Sequence, residues 1–142
     1  MTFIVTYRVE GHPQGKGRPK FRRQGNFVRT YTPQTTVSYE NMIKASAMLA
    51  MGASEPLKTP VSVFIYVTKG IPASYSKKRF EACLAGLELP TKKPDLDNVI
   101  KCFLDAMNDI VYLDDKQVVI LHATQVYGRD SAVEVLVKEE LQ

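Results

Sequence analysis

The most constraining stretch of this 142-residue chain begins at Pro94. Ile100, Phe103, Leu104 and Met107 recur at i, i+3, i+4 and i+7, the stripe of a helix with one face against a core. Pro94 disfavours helix for the residue before it, so the chain arrives extended, and Asp97 or Asn98 is placed to cap the helix. The helix therefore starts beside two carboxylates, Asp95 and Asp97, one residue apart. In extended chain, i and i+2 side chains point the same way, so the pair can share a ligand. All seven Asp residues lie from Asp95 onward, and Asp114-Asp115 closes the stretch.

Three carboxylates near one point bind Mg²⁺ or Mn²⁺, which prefer oxygen ligands. Asp95 and Asp97 supply two, and Asp115 or Asp114 a third. A helix over 98–108 is about 15 Å long, so the second pair leaves from its far end. The connection to Asp115 can span up to ~23 Å, enough to return. Lys101, one turn after Asp97, can reach a scissile phosphate, or pair with Asp105 for a few tenths of a kcal/mol. Asp97 acting only as a cap leaves Asp95, Lys101 and Asp115 unexplained. A calcium loop does not fit, because its required Gly and Glu would fall on Ile100 and Ala106.

Charge is divided along the chain. Residues 1–93 carry 15 Lys/Arg against 5 Asp/Glu, and residues 94–142 carry 4 against 10. A basic first part and an acidic second part suit a polyanion held near a small carboxylate centre. Six of these basic residues sit in or just beyond an acid-free run punctuated by Gly and Pro: Lys16, Arg18, Lys20, Arg22 and Arg23, with Arg29 beyond. Phe21, Phe27 and Tyr31 are interleaved, as where a chain tracks phosphates and stacks on bases. The bland alternative is a solvated basic loop. Lys77, Lys78 and Arg79 near a second helix start read as a solvated surface cluster.

In order, the chain reads as a strand over 3–9, the basic loop over 11–26 and a helix to Met51 with Tyr39, Met42, Ile43 and Ala50 on its apolar side. A strand over 61–68, a helix over 74–85, the central helix and strands over 117–127 and 132–138 follow. That order predicts an α/β (α+β) fold, one compact domain spanning 1–142 with a mixed β-sheet packed against helices. No apolar run reaches the ~20 residues of a membrane span, and no signal peptide is read at the start. Cys83 and Cys102 read as reduced structural thiols of a cytoplasmic protein. His12 and His122 read as incidental; there is no P-loop and no Ser-His-Asp or Cys-His arrangement.

The run Lys93-Pro-Asp-Leu-Asp-Asn-Val-Ile-Lys101, then Leu104-Asp-Ala, then Leu113-Asp-Asp-Lys-Gln-Val118, closely resembles the RusA family of Holliday junction resolvases. Gly15-Lys-Gly-Arg-Pro19 and Tyr31-Thr-Pro33 resemble its phage-type branch. The resemblance implies a homodimeric, Mg²⁺-dependent endodeoxyribonuclease that nicks four-way DNA junctions in opposed strands during recombination and repair. Asp95, Asp97 and Asp115 match its catalytic, metal-holding carboxylates, Lys101 its lysine, and Asp114 the neighbouring Asp. Two other readings stay open: a metal-dependent nuclease on other branched DNA, which uses the same parts on a substrate of different shape, and a non-catalytic DNA-binding protein, which leaves the carboxylates idle. For the dimer, Phe103 and Met107 are candidate interface residues if their stripe is wider than the core needs.

Overall fold

The structure is a computed structural model that describes residues 2–16, 20–25, 27–31 and 34–141. Alternating Val and Tyr in β1 (Ile4–Glu10) puts Val5, Tyr7 and Val9 on one buried face. β6 (Ala132–Glu139) runs antiparallel beside it, and β4 (Val61–Gly70) antiparallel beside β6. β5 (Val118–Gly128) pairs parallel with β4 and forms the edge, giving a mixed sheet ordered β1-β6-β4-β5.

The inner face of that sheet carries Val63, Ile65, Val67, Val133, Val135 and Val137, all buried. Across it lie α1 (Gln34–Met51) and α3 (Leu96–Ala106). Phe103 of α3 joins the layers, its ring 6.4 Å from that of Tyr7 and 5.8 Å edge-on from Tyr39. The expected α+β fold with a mixed sheet against helices is what the chain adopts. α2 (Lys77–Leu84) stands near β5, capped by the Ser76 hydroxyl, which accepts from Arg79 N.

Four sequence expectations change. The basic run is not all loop: β2 (Lys20–Gln24) and β3 (Phe27–Tyr31) form a separate antiparallel hairpin. In α1, Ala47 and Met51 rather than Met42 and Ala50 continue the buried side with Tyr39 and Ile43, following strict four-residue steps. α3 starts two residues earlier than a cap at Asp97 requires and three earlier than one at Asn98: Asp95 is the N-cap position, and its side chain makes no cap hydrogen bond. Asp97 instead sits in the first turn, where its charge suits the helix dipole. Phe103 and Met107 are both 0% exposed and taken up by the core, so neither reaches an interface, while Ile100 and Leu104 of the same stripe are only half-buried.

Among the described residues, no helix covers the opposite face of the sheet. Ile4, Tyr66, Ile120 and Val126 are exposed there, and His122 lies between the rings of Phe64 and Tyr66.

Candidate active site

The site is built on α3 because its buried face fixes the helix rotation. With Val99, Cys102, Phe103 and Ala106 inward, Asp97, Lys101 and Asp105 follow one another at four-residue steps along the outer face. Asp95 stands at the head of this row, exposed, in extended backbone after a cis Lys93–Pro94 peptide. Lys101 is exposed and, among the described residues, makes no ion pair with Asp105.

Asp105 pairs instead with Lys16. The Lys16 ammonium is 2.5 Å from Glu40 of α1 and 3.4 Å from Asp105, and Lys16 N donates to Asn98 O at 3.0 Å. Burial lowers the Lys16 pKa, but Glu40 and then Asp105 outweigh it and hold the ammonium above its ordinary value. Lys16 thus ties the loop over 11–16 onto α1 and α3. Gly15 packs closely on Asn98 and Pro94: a Cβ there would stand 3.0 Å from Asn98 Cβ and 3.3 Å from Pro94 Cβ, so a larger residue would need these neighbours to give by a few tenths of an ångström. Between loop and helix lies a cleft of about 750 Å³, lined by His12, Gln14, Lys16, Lys93, Asp95 and Asn98.

The return from the far end of α3 is tight. Asp109 adopts a left-handed conformation (φ 64°), and its N–H donates to Tyr112 O. The Tyr112 hydroxyl donates to Leu104 O at 2.7 Å, locking the reversal under the helix. The chain then enters a single 3-10 turn, Asp115–Gln117. Here the Asp-Asp-x-Gln motif divides its labour. Asp114 caps the turn, accepting from Lys116 N at 2.9 Å. The Gln117 amide oxygen accepts from Leu113 N and Asp114 N, and its nitrogen donates to Leu57 O and Thr59 O. These four bonds hold the turn while leaving the Asp115 carboxyl to meet Asp105.

That meeting has a measurable consequence. Burial, then contact with Asp105 and Asp114 and their like charge, pushes the Asp115 carboxyl above the usual carboxylate range. Two or three carboxylates this close favour a bound proton or cation over mutual ionisation. Among the described residues no three such groups already converge into a metal-ready cluster. Asp95 and Asp97 head the α3 row, and Asp115 joins it at Asp105, about 12 Å along the axis from Asp97.

The hairpin places β2 and β3 in a register that sets Arg22 opposite Arg29 and Lys20 opposite Tyr31. Arg18 lies outside the described residues, as does most of the Tyr31-Thr-Pro33 motif. Elsewhere, Arg79 is bound by Glu88 at 2.9 and 3.0 Å with its guanidinium 3.6 Å over the Tyr75 ring. Asp105 and Gln117 carry more of this arrangement than the sequence motifs conveyed. Asp105 had a signal, its four-residue step from Lys101, but no sequence rule pointed to Lys16 as its partner.

A row of carboxylates on one helix with a docked loop beside it, in a chain that also carries a basic hairpin, suits a protein that handles a phosphodiester. The family model described as "Endodeoxyribonuclease RusA" matches residues 10–138. The chain belongs to the RusA endodeoxyribonuclease family. It is also similar to the uncharacterized protein YqaN of Bacillus subtilis (strain 168), 33% identical over 138 residues, 95% of this chain and 96% of that protein.

Proposed function

We propose that this protein is a divalent-metal-dependent endonuclease that resolves four-way DNA junctions by paired, symmetric nicks, working as a cytoplasmic homodimer. The observation that carries the reading is the carboxylate row of α3 meeting Asp115 at a crowded, proton- or cation-seeking contact within a RusA-family chain. The donor set fits a hard cation: every group is a carboxylate oxygen, and the Asp95 side chain is not spent on capping. Asp95 and Asp97 at the head of the row would hold Mg²⁺ or Mn²⁺ there, and Asp115, beside Asp105 about 12 Å along the helix, would hold a separate such ion. The bound ion would supply an activated water and charge neutralisation at the phosphate.

The chain's own residues account for the rest. Lys101, exposed on the same face one turn after Asp97, brings a positive charge to the phosphate in the transition state. Asp114, committed to its cap, stays outside the ligand set. The hairpin residues Lys20, Arg22, Arg23 and Arg29, with Arg18, track phosphates. Lys16 shares its charge with Glu40 and Asp105, so its contribution is to hold the loop beside the DNA. The uncovered apolar sheet face with Ile4, Tyr66, Ile120 and Val126 supports a two-fold dimer, which supplies the two sites that paired nicks need.

Cleavage of a synthetic four-way junction, a flap and a linear duplex, each with and without Mg²⁺, tests the reading. It expects metal-dependent cutting of the junction above the others. Preference for the flap would shift the substrate to other branched DNA, and binding without cutting would leave a DNA-binding protein.

A further inference from the structure

Among the described residues, Lys69 is the one fully buried charged side chain, 3% exposed. It ends the inner-face series Val63, Ile65, Val67 on β4, opposite Tyr127 of β5. A buried ammonium is costly unless its protons are taken up by acceptors. Here the acceptors are the carbonyls of Lys92, at 2.7 Å, and Pro94, at 2.8 Å. The Asp95 carboxylate is near enough to act on its charge.

Those two carbonyls bracket the last residues before the site. The Pro94 carbonyl belongs to the peptide that joins Pro94 to Asp95, so a bond to it fixes the plane from which the Asp95 side chain departs. The segment is gripped from the other side by the loop over 11–16, where Gly15 packs on Pro94 and Asn98, and Lys16 N bonds Asn98 O. An apolar residue of the same length would fill the end of β4 without the desolvation cost, so packing alone does not call for a lysine. A donor that reaches two backbone oxygens does.

We propose that Lys69 is a positioning residue, which clamps the Lys92–Pro94 segment so that the Asp95 carboxylate is aimed for the divalent ion. The inference rests on the metal reading above. It places a rigid core strand behind a ligand that would otherwise sit on a surface connector. Groups that orient a ligand from behind typically change metal affinity by about 10–100-fold when removed.

The test uses the full-length, DNA-free protein and Mn²⁺ itself. Lys69→Met keeps the stem and removes the donors. It should weaken Mn²⁺ binding by calorimetry at least tenfold and speed hydrogen exchange over residues 92–98, while strands β1 and β6 exchange as before. Lys69→Gln, shorter and uncharged, serves if the Met protein does not fold, and should show the same loss. Either folded variant with wild-type Mn²⁺ affinity overturns the clamp, as does faster exchange spread over the whole sheet with affinity unchanged. Asp95→Asn is the control: if wild type binds Mn²⁺ no better than this variant, the metal reading fails at Asp95, and the inference fails with it.

Discussion

Replacing Asp115 with Asn separates folding from function in a single residue. In the folded chain the Asp115 carboxyl is pushed up by burial and by Asp105 and Asp114. Its folded pKa therefore lies above its unfolded value of ~3.9. The folded state then holds more protons than the unfolded state between those two values, and stability falls as pH rises through that window. Above the folded value the repulsion is fully present. Two charges about 4 Å apart repel by ~1 kcal/mol in water and ~4 kcal/mol near a protein surface, and because Asp115 is only partly buried, the figure is discounted for solvent screening to the lower end. Asp115→Asn should thus stabilise the metal-free protein by up to ~1 kcal/mol, roughly 3 °C in Tm for a chain of this size. Melts at neutral pH in chelator should show that gain, and the gain should vanish below about pH 3.9. Saturating Mg²⁺ should reverse the order, since a ligand at 100 times its Kd adds ~2.7 kcal/mol to the form that binds it. An Asn variant less stable than wild type in chelator, or one stabilised by Mg²⁺ as much as wild type, would refute the reasoning.

Other expectations follow from the same geometry. Asp95→Asn or Asp97→Asn should abolish cleavage and spare junction binding by gel shift, while Asp114→Asn, whose amide oxygen can still accept from Lys116 N as a cap, should keep most activity. Lys101→Ala should lower the single-turnover rate at saturating DNA more than it lowers affinity; equal losses would remove it from the transition state. Replacing two of Lys20, Arg22, Arg23 and Arg29 by Ala should flatten the salt dependence of binding by roughly 0.9 in slope per lost contact, and an unchanged slope would return the hairpin to solvent. Tyr66→Asp or Ile120→Asp on the open sheet face should convert a sedimenting dimer to monomer without lowering Tm, whereas an unaffected dimer would place the interface elsewhere.

What the sequence made legible was whatever depends on local periodicity. The α3 stripe, the alternation of β1 and the stop of α1 at Gly52 (φ +57°) all stand where near-neighbour rules put them. The hairpin was obscured because six Gly and Pro residues between 11 and 26 outweighed a short β run. Its signal was there in the sequence, a Gly-Asn dipeptide between two β-prone runs, of the type that joins hairpins. At the site, the residue types were legible but not their grouping. The turn through Asp109 and Tyr112 brings Asp115 to Asp105, a contact set by tertiary packing rather than spacing. Lys69 was hidden for the opposite reason, because a lysine at the end of an apolar strand reads as a solvent-facing stop. Only the positions of two carbonyls more than twenty residues later give it a role.

The central claim, two metal-dependent sites acting together on a branched substrate, is met most directly by one experiment. A four-way junction labelled in turn on each of its four strands is incubated with the wild-type protein in Mg²⁺, and the cut positions are mapped. The account predicts nicks in one opposed pair of strands at symmetry-related positions, lost in chelator and lost with Asp95→Asn. Cuts that persist without metal, that survive Asp95→Asn, or that fall on single strands with no symmetric counterpart would contradict it.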